Sequence, residues 1–318
     1  MFSLAELEAA ARSVYAAMPP TPQYAWPLLA ARTGCDVWVK HENQTPIGAF
    51  KVRGGLVYVE RMKRERPGVA GIVSATRGNH GQSLAYAGRR FGVPVAIVVP
   101  RGNSVEKNAS MRALGAELVE FGRDFDEARG EAARIAAARG YEMVAPFHPD
   151  LVLGVASYAL ELLRAVPEID TVYAPIGLGS GICGLIGVRD LLGLKTKIVG
   201  VQAEGADSYA RSFAAGRVVA TERAETVADG MATRVPDPAA FEIIRNGADR
   251  IVTLSDAEIA AAMRAYFQDT HNVAEGAGAA PLAALVKERG RMAGKRVGLV
   301  LSGGNVDLEV FCRLVGGA

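Results

Sequence analysis

The sequence of 318 residues contains little cysteine and histidine, and their placement excludes several kinds of site. The three cysteines, Cys35, Cys183 and Cys312, lie far apart and show neither metal-binding nor redox spacing. We therefore expect free thiols in a reducing, cytoplasmic compartment and no disulfide framework. The four histidines have no paired ligand spacing either, so the pattern gives no support for a structural zinc site.

Long apolar runs and an excess of one charge are also absent. Residues 1–18 have an amphipathic helical pattern interrupted by Glu6, Glu8 and Arg12, which matches neither a signal peptide nor a membrane span. The 36 basic and 34 acidic side chains nearly cancel, to a formal net charge of +2. Such a surface has no global field to attract nucleic acid or an anionic membrane. We expect the partner to be a small molecule.

Short β-branched runs alternate with alanine-rich helical patterns along the chain. Runs such as "GIVSA", "PVAIVVP" and "KIVGVQ" are typical of buried parallel strands, and segments such as "DFDEARGEAARIAAARG" have the period of a helix. This alternation predicts an α/β fold with parallel strands and crossover helices. The length favours two domains, and a break at residues 145–150 predicts a crossing between them.

A single lysine, Lys51, follows Gly-Ala-Phe in the stretch "KHENQTPIGAFKVRGG", residues 40–55. An ordinary lysine would cover Phe50 with its stem and place its ammonium in solvent. The alternative is a desolvated amine of lowered pKa that attacks a carbonyl group. The neighbours of Lys51 alone favour the ordinary interpretation, and only residues elsewhere in the chain can change it.

The strongest local signal is the glycine-rich stretch "PIGLGSGICG", residues 175–184, which follows a predicted strand and opens an apolar helix. Its N–H groups are suited to a phosphate, although a tight turn without a ligand is the alternative. Gly179, Gly181 and Gly184 also satisfy the dinucleotide pattern G-x-G-x-x-G, with Glu204 about twenty residues further on. A nicotinamide-linked oxidoreductase therefore stays open at this point.

Two more turns end predicted strands. In "SATRGNHGQS", residues 74–83, Asn79, His80 and the turn amides are suited to a carboxylate or a ring hydroxyl, or Asn79 caps its own turn. In "LSGGNVD", residues 301–307, Ser302 offers one neutral hydroxyl. Ligands bind beyond the carboxyl ends of parallel strands, so three such turns predict one shared crevice.

Pyridoxal phosphate needs a lysine, a phosphate site, a partner for its pyridine nitrogen and a site for the amino acid carboxylate. The sequence resembles the fold-type II, or tryptophan synthase β-like, pyridoxal phosphate enzymes, most closely their serine/threonine dehydratase branch. The stretches that carry the resemblance follow the family's order over nearly the whole chain. They are the Lys51 stretch, the three turns, "FHPDLVLGVASYALEL", "TVADGMA" and "EGAGAAPLAAL".

The resemblance implies two three-layer α/β domains with mostly parallel sheets and the cofactor in the interdomain cleft. It implies a large cofactor-binding domain of residues 1–52 and 148–318 and a small domain of residues 53–147. It also implies a homodimer.

The resemblance assigns roles to individual residues as well. Lys51 corresponds to the lysine that forms a Schiff base with the cofactor, Asn79 to the contact of the ring hydroxyl, and Ser302 to the partner of the pyridine nitrogen. A neutral hydroxyl makes the ring a weaker electron sink, which suits elimination. Gly230 matches a position that lines the site. The expected cofactor-binding residues are Lys51, Phe50, Asn79, Gly177, Leu178, Gly179, Ser180, Gly181, Glu275 and Ser302, and the expected substrate-binding residues are Thr76, Arg77, Gly78, Asn79 and His80.

Two residues beside the predicted site depart from the family pattern. Ala49 stands where relatives usually carry serine before Phe-Lys, which alters substrate contacts and spares the lysine. Arg77 stands where dehydratases have a small residue and racemases have a serine base. Arginine stays charged and is a poor base, so racemisation is not favoured. Arg77 pairs instead with a second substrate carboxylate, as in 3-hydroxyaspartate, or with an acid of the protein itself.

A third departure concerns a divalent cation that some relatives bind through two acids. Here the segment reads "GVQAEGADS", with Gln202 and Ser208 in place of those acids. Hard cations prefer anionic oxygens, so we expect no bound metal, although Glu204 and Asp207 could substitute.

These features predict a pyridoxal phosphate-dependent ammonia-lyase of amino-acid catabolism, which eliminates the β-hydroxyl of a β-hydroxy-α-amino acid to give a 2-oxo acid and ammonia. Threonine and serine are the expected substrates, with phenylserine and 3-hydroxyaspartate as alternatives. A β-substituting synthase similar to cysteine synthase is the alternative within the family. From different classes of protein, a nicotinamide-linked oxidoreductase and a non-catalytic pyridoxal-binding protein also stay open.

Overall fold

Two β-sheets organise the chain, whose computed structural model describes residues 1–316. Most of their strands are buried and rich in β-branched residues, as expected for sheets covered by helices. The ten strands of the described residues are β1 (Gln23–Ala25), β2 (Asp36–His41), β3 (Ile72–Ala75), β4 (Val95–Val99), β5 (Glu117–Glu120), β6 (Glu142–Met143), β7 (Thr171–Pro175), β8 (Lys197–Ala203), β9 (Arg250–Leu254) and β10 (Arg296–Leu301).

The larger sheet has six strands in the order β1-β2-β10-β7-β8-β9, and the smaller has four in the order β5-β4-β3-β6. Strand β1 pairs with β2 in antiparallel fashion, and all other neighbours are parallel. The prediction of an α/β fold with mostly parallel sheets is therefore confirmed.

Fourteen α-helices lie between and beside the strands in residues 1–316. Every connection between parallel neighbours contains at least one of them, as parallel pairing requires. The helices are α1 (Leu4–Tyr15), α2 (Pro27–Thr33), α3 (Lys51–Glu65), α4 (Asn79–Phe91), α5 (Val105–Ala113), α6 (Phe125–Arg139), α7 (Pro149–Ala165), α8 (Ser180–Leu191), α9 (Ser208–Ala215), α10 (Pro238–Gly247), α11 (Asp256–Thr270), α12 (Gly276–Lys287), α13 (Arg289–Met292) and α14 (Leu308–Gly316). Three short 3-10 helices are Glu42–Gln44, Glu204–Ala206 and Asp229–Met231.

Close helix packing holds the start of α3 in place. Helix α3 packs against α4 and α7, and α7 packs against α8. A Cβ atom at Gly54 would lie 2.7 Å from the Leu151 carbonyl oxygen, and one at Gly154 would lie 2.3 Å from the Arg53 carbonyl oxygen. These glycines let the backbones of α3 and α7 touch, which fixes the position of residue 51 at the amino end of α3.

The strands of the smaller sheet lie within residues 72–143, and those of the larger sheet lie on either side of that segment. The predicted domain limits, residues 1–52 with 148–318 and residues 53–147, stay a prediction. Among the described residues, none of the helices has the length and apolar character that a membrane crossing needs.

Candidate active site

Three strands end in the glycine-rich turns that were predicted to share a crevice. Strand β3 leads into residues 76–78, β7 into residues 176–179 and β10 into residues 302–307. The backbone N–H of Phe50 donates to the Ser302 carbonyl oxygen at 3.0 Å. The structure thus brings the segment just before α3 against the turn after β10, although the two are far apart in the sequence.

Lys51 is the first residue of α3, and its amine contacts the start of α8. The Nζ atom donates to the Ser180 hydroxyl at 3.1 Å and lies 5.1 Å from the centre of the Phe50 ring. Burial lowers the pKa of the Lys51 amine from 10.5 to about 8. Part of the residue stays accessible, so a ligand can reach it. This environment matches the interpretation of Lys51 as a desolvated amine, and not as an ordinary lysine whose ammonium lies in solvent.

The turn after β7 leaves the amide groups at the start of α8 without a side-chain cap. Gly179, the residue before this helix, has a left-handed φ of 102° and makes no side-chain cap hydrogen bond. Two buried tyrosines hold the turn through its carbonyl groups. The Tyr209 hydroxyl donates to the Leu178 oxygen at 3.0 Å, and the Tyr158 hydroxyl donates to the Gly181 oxygen at 2.9 Å. The N–H groups therefore stay available for an anion.

Glycine stands at positions 184 and 181 for different physical reasons. A Cβ atom at Gly184 would lie 3.1 Å from the Ala156 Cα atom in α7, so this glycine of the dinucleotide pattern serves helix packing. A Cβ atom at Gly181 would meet nothing nearer than the Phe50 ring, at 3.5 Å. Protein contacts do not require glycine at position 181, whereas a ligand that approaches the backbone would.

Apart from Arg77, the turn after β3 and the start of α4 present polar groups without charge. The Thr76 hydroxyl accepts from the Gly78 N–H at 3.2 Å, and α4 begins at Asn79 with no side-chain cap. His80 is buried, and its Nε2 atom has no hydrogen-bond partner within residues 1–316. Burial, and after it the positive charge of Lys51, lower the pKa of His80 to about 3. A neutral imidazole with an unpaired nitrogen therefore lies beside open backbone amides, a combination suited to a carboxylate.

Within residues 1–316, the Arg77 side chain forms no hydrogen bond or ion pair with the other predicted site residues. The side chain is exposed, and it forms no ion pair or hydrogen bond within the described part of the chain. The sequence left two partners open for Arg77, and the ion pair with an acid of the protein itself is not formed within residues 1–316.

A network that sequence reasoning missed in part holds Asn79. Its Nδ2 atom donates to Glu275 Oε1 at 2.8 Å, and its Oδ1 atom accepts from Asn305 Nδ2 at 2.8 Å. Asn305 belongs to the turn after β10 and also donates to the Ile47 carbonyl oxygen at 2.8 Å. Burial raises the pKa of Glu275, and Lys107 lies 3.9 Å from its second oxygen. Neither Asn305 nor Lys107 was predicted.

Ala49 is fully buried and pairs with Gly303 in an isolated antiparallel bridge. Its N–H donates to the Thr45 hydroxyl at 2.9 Å. The segment before Lys51 is thus held by backbone contacts, and a serine hydroxyl at position 49 is not needed to place the lysine. Ser302, the predicted partner of the ring nitrogen, is 3% exposed at the carboxyl end of β10.

A buried ion network, also missed from the sequence, anchors the first turn of α3. Arg53 donates to both carboxylate oxygens of Glu42, at 2.7 and 2.9 Å, and to both of Glu161, at 2.6 and 2.9 Å. Lys40 lies 2.5 Å from Glu161. Arg53, Glu42 and Lys40 have no exposed surface. Two positive and two negative charges balance directly behind Lys51.

Comparison with known families decides which chemistry this site supports. A family model described as pyridoxal-phosphate dependent enzyme matches residues 14–303. The chain belongs to this family. The predicted pyridoxal phosphate cofactor is confirmed, and the nicotinamide alternative that Gly179, Gly181 and Gly184 left open is not supported.

Individual relatives confirm the predicted branch of the family. L-threonine ammonia-lyase from Thermotoga maritima is 33% identical over 319 residues, which cover 99% of this chain and 78% of the relative. L-threo-3-hydroxyaspartate ammonia-lyase from Saccharomyces cerevisiae is 31% identical over 298 residues, which cover 93% of this chain and 91% of the relative.

Solved structures confirm the predicted fold type. The processed form of threonine deaminase isoform 2 from Solanum lycopersicum has a TM-score of 0.89 and 27% identity, covering 99% of this chain and 94% of that one. Maize serine racemase has a TM-score of 0.91 and 25% identity, covering 98% of this chain and 96% of that one.

The residues at the site fit pyridoxal phosphate. The desolvated Lys51 amine suits its aldehyde, the uncapped amides after Gly179 suit its phosphate, and the neutral Ser302 hydroxyl suits its ring nitrogen. A Cβ atom at Gly177 would lie 2.2 Å from the Gly230 carbonyl oxygen, so these two glycines let the turn after β7 touch the segment that contains Gly230.

Proposed function

We propose that this protein is a pyridoxal phosphate-dependent ammonia-lyase that converts a β-hydroxy-α-amino acid into a 2-oxo acid and ammonia. The observation that carries the proposal is the desolvated Lys51 amine, 3.1 Å from the Ser180 hydroxyl at the start of α8. The names of its relatives, L-threonine ammonia-lyase and L-threo-3-hydroxyaspartate ammonia-lyase, support this reaction.

Residues from both sheets would hold the cofactor. Lys51 would bind it covalently, and the amides of residues 177–181 would bind its phosphate. Asn79 would donate to the ring hydroxyl, and Ser302 would meet the ring nitrogen. When bound, pyridoxal phosphate supplies an electron sink that stabilises negative charge at the Cα atom of an amino acid.

The chain's own side chains would bind the substrate and move its protons. Thr76, the amides of residues 77–79 and the neutral imidazole of His80 would bind the α-carboxylate. The Lys51 amine would then take the Cα proton as general base, because a pKa of about 8 keeps a useful fraction neutral at physiological pH. The Ser302 hydroxyl does not enforce protonation of the ring nitrogen, which suits loss of the β-hydroxyl. Arg77 is a poor base, so racemisation is not favoured.

Threonine and serine are the proposed substrates, with 3-hydroxyaspartate as the alternative that Arg77 would favour. The relatives' names include both threonine and 3-hydroxyaspartate, so they support the β-hydroxy-α-amino acid class rather than one member.

We further propose that the enzyme acts as a homodimer in the cytoplasm. Cys35 and Cys183 are buried free thiols, and Cys312 is an exposed free thiol, which supports a reducing compartment. The homodimer rests on the family resemblance alone, and sedimentation of the purified protein would measure it.

The test is the visible absorption spectrum of the protein reconstituted with pyridoxal phosphate, recorded before and after addition of L-threonine. We expect a band from the lysine-bound cofactor, a change on addition of threonine, and release of 2-oxo acid with ammonia. The rate of reconstitution should rise with pH and level off above about pH 8, because only the neutral Lys51 amine reacts.

Lys51→Ala should lose both the band and the turnover, whereas Lys195→Ala, at an exposed lysine, should keep both. A band that persists unchanged in Lys51→Ala would refute the proposal. A β-substituting synthase would instead divert the product from 2-oxo acid when a thiol is added.

A further inference from the structure

The side-chain amide of Asn79 can take only one orientation. Asn305 Nδ2 donates both to the Ile47 carbonyl oxygen and to Asn79 Oδ1, each at 2.8 Å. Because a carbonyl oxygen only accepts, the NH2 group of Asn305 must face Ile47, and Asn79 must present its own oxygen to Asn305. The NH2 group of Asn79 therefore faces Glu275 and donates one hydrogen to it at 2.8 Å. Its second hydrogen stays available to a ligand.

The hydrogen bond from Asn79 needs an acceptor in Glu275. A carboxylate only accepts hydrogen bonds, whereas a protonated carboxyl group also donates and can place its O–H against the Asn79 NH2 group, which then loses its acceptor. Burial raises the pKa of Glu275, and Asp229 acts in the same direction. Lys107 and the hydrogen bond from Asn79 oppose them. These three residues are the charged and polar groups that act on the Glu275 carboxylate.

Lys107 brings its positive charge to Glu275 from the other side of the cleft. It lies on α5, which follows β4 of the smaller sheet, while Glu275 precedes α12, which packs on the larger sheet. The Lys107 ammonium lies 3.9 Å from Glu275 Oε2 and 3.4 Å from Asp229 Oδ2, and its side chain is 9% exposed. A Cβ atom at Gly78 would lie 2.7 Å from Lys107 Cδ, so this glycine gives the lysine stem its path.

Two further contacts hold the first turn of α5 in this position. The Ser104 hydroxyl donates to the Asp307 carboxylate, and the Leu308 N–H donates to Glu106 Oε1 at 2.8 Å. Both partners belong to the segment that follows β10. These contacts hold the helix that carries Lys107 beside Glu275.

We propose that Lys107 is a positioning residue for the cofactor: its ammonium, placed across the cleft, keeps Glu275 an acceptor and directs the free N–H of Asn79 to the ring oxygen. This inference rests on the proposed function, because the ring oxygen belongs to pyridoxal phosphate. It makes the electrostatics of the cofactor site depend on a residue of α5, which follows a strand of the smaller sheet.

The experiment measures the dissociation constant of pyridoxal phosphate and the position of its visible band between pH 6 and pH 9, with purified apoprotein. Lys107→Arg keeps the charge, Lys107→Met and Lys107→Gln remove it, and Glu275→Gln removes the titrating group. We expect Lys107→Arg to behave as wild type. Relative to wild type at the same pH, the two neutral variants should lose up to about tenfold in affinity for the cofactor at pH 6 and less at pH 9, because a rise of one unit in the pKa of Glu275 changes its protonation equilibrium by a factor of ten.

A double variant separates this role from a merely structural one. In the Glu275→Gln background, Lys107→Met should cause no additional loss of affinity, since its effect passes through the Glu275 charge. Equal losses in both backgrounds, or a loss relative to wild type that is the same at pH 6 and at pH 9 in the neutral variants, would overturn the role of Lys107. Wild-type apoprotein that fails to bind pyridoxal phosphate at all would overturn the proposed function itself.

Discussion

We expect Arg77 to separate two proposed substrates that differ by one charge. Its side chain is exposed beside the turn proposed to bind the α-carboxylate, and within residues 1–316 it has no ion-pair partner. We expect Arg77→Ala to lower kcat/KM for 3-hydroxyaspartate about tenfold and for threonine by less than about twofold, because only the former has a second carboxylate to lose a charge-assisted hydrogen bond. Steady-state kinetics with both substrates measure this.

The matched control is Arg129→Ala, which removes another exposed arginine, on α6, far from the turn after β3 in the sequence. It should leave both substrates unaffected. Equal losses on threonine and 3-hydroxyaspartate in Arg77→Ala would contradict a contact with the second carboxylate.

The residues of the candidate site were predictable only where a motif contained them. The turn at residues 177–181 lies in a stretch whose residue types already suggest a phosphate site, whereas Lys51 became a candidate only through the other stretches of the family pattern. Asn305 lies in a stretch that was identified, but its role follows from a hydrogen bond to Asn79, 226 residues away. Lys107 lies outside all of the stretches. Nothing in the sequence marked it, because a lysine on a short helix is normally a solvated side chain.

The ion network behind Lys51 stabilises the start of α3. Arg53 has no exposed surface, and it faces two carboxylates, of which Lys40 could neutralise only one. We expect Arg53→Met to lower the free energy of unfolding by about 3–5 kcal/mol, the usual cost of leaving a buried charge without its partner. Denaturant titration of wild type and variant measures the difference. Arg112→Met, which breaks an exposed pair with Glu120, should cost less than about 1 kcal/mol.

The loss of unfolding free energy in Arg53→Met should become smaller as the pH falls. Burial raises the pKa of Glu161, yet Arg53 and Lys40 more than offset this and hold it below its ordinary value. Its contribution to stability is therefore present above the pKa of the unfolded chain, about 4.3, and is lost as the pH falls through the lower folded value. The gap between wild type and Arg53→Met should narrow below about pH 4. A gap that is constant with pH would show that Arg53 acts through packing alone.

At the level of whole elements, periodicity and composition predicted the buried strands and the main helices. The strands that were missed, β1, β6 and β9, all lie at sheet edges. They have three, two and five residues, and most of these residues are partly or fully exposed. An edge strand pairs on one side only, so its sequence does not need the apolar run that marks a central strand.

Across the whole molecule, the candidate site combines residues from both sheets. Asn79 and His80 follow β3 of the smaller sheet, whereas Ser180 and Ser302 follow β7 and β10 of the larger one. The hydrogen bonds from Lys51 to Ser180, from Asn79 to Glu275 and from Asn305 to Asn79 connect residues 129 to 226 positions apart. Local patterns predict the strands and turns, but contacts across a cleft depend on how the two sheets meet, which no local pattern contains.

Gln202 and Ser208 stand where some relatives carry the two acids that bind a divalent cation. From their contacts we predict how the protein responds to such cations. Gln202 is buried and accepts from the Ala210 N–H at 2.8 Å, and the Ser208 hydroxyl donates to the Thr233 carbonyl oxygen at 2.7 Å. Asp207 is paired with Arg211 at 2.7 Å. Within residues 1–316, no group of three or more acidic, histidine or cysteine side chains could hold a metal ion. We expect a chelator to change neither kcat/KM nor Tm.

A double variant provides the positive control for this prediction. Gln202→Glu with Ser208→Asp places two carboxylates where neutral groups now make internal hydrogen bonds, so the metal-free variant should be less stable than wild type. Divalent cations should then raise its Tm with concentration, since a ligand at 100 times its Kd adds about 2.7 kcal/mol to the free energy of unfolding. Wild type should show no such rise. A Tm of the wild-type protein that falls with chelator and recovers with magnesium would mean that Glu204 or Asp207 binds a cation despite the loss of both acids.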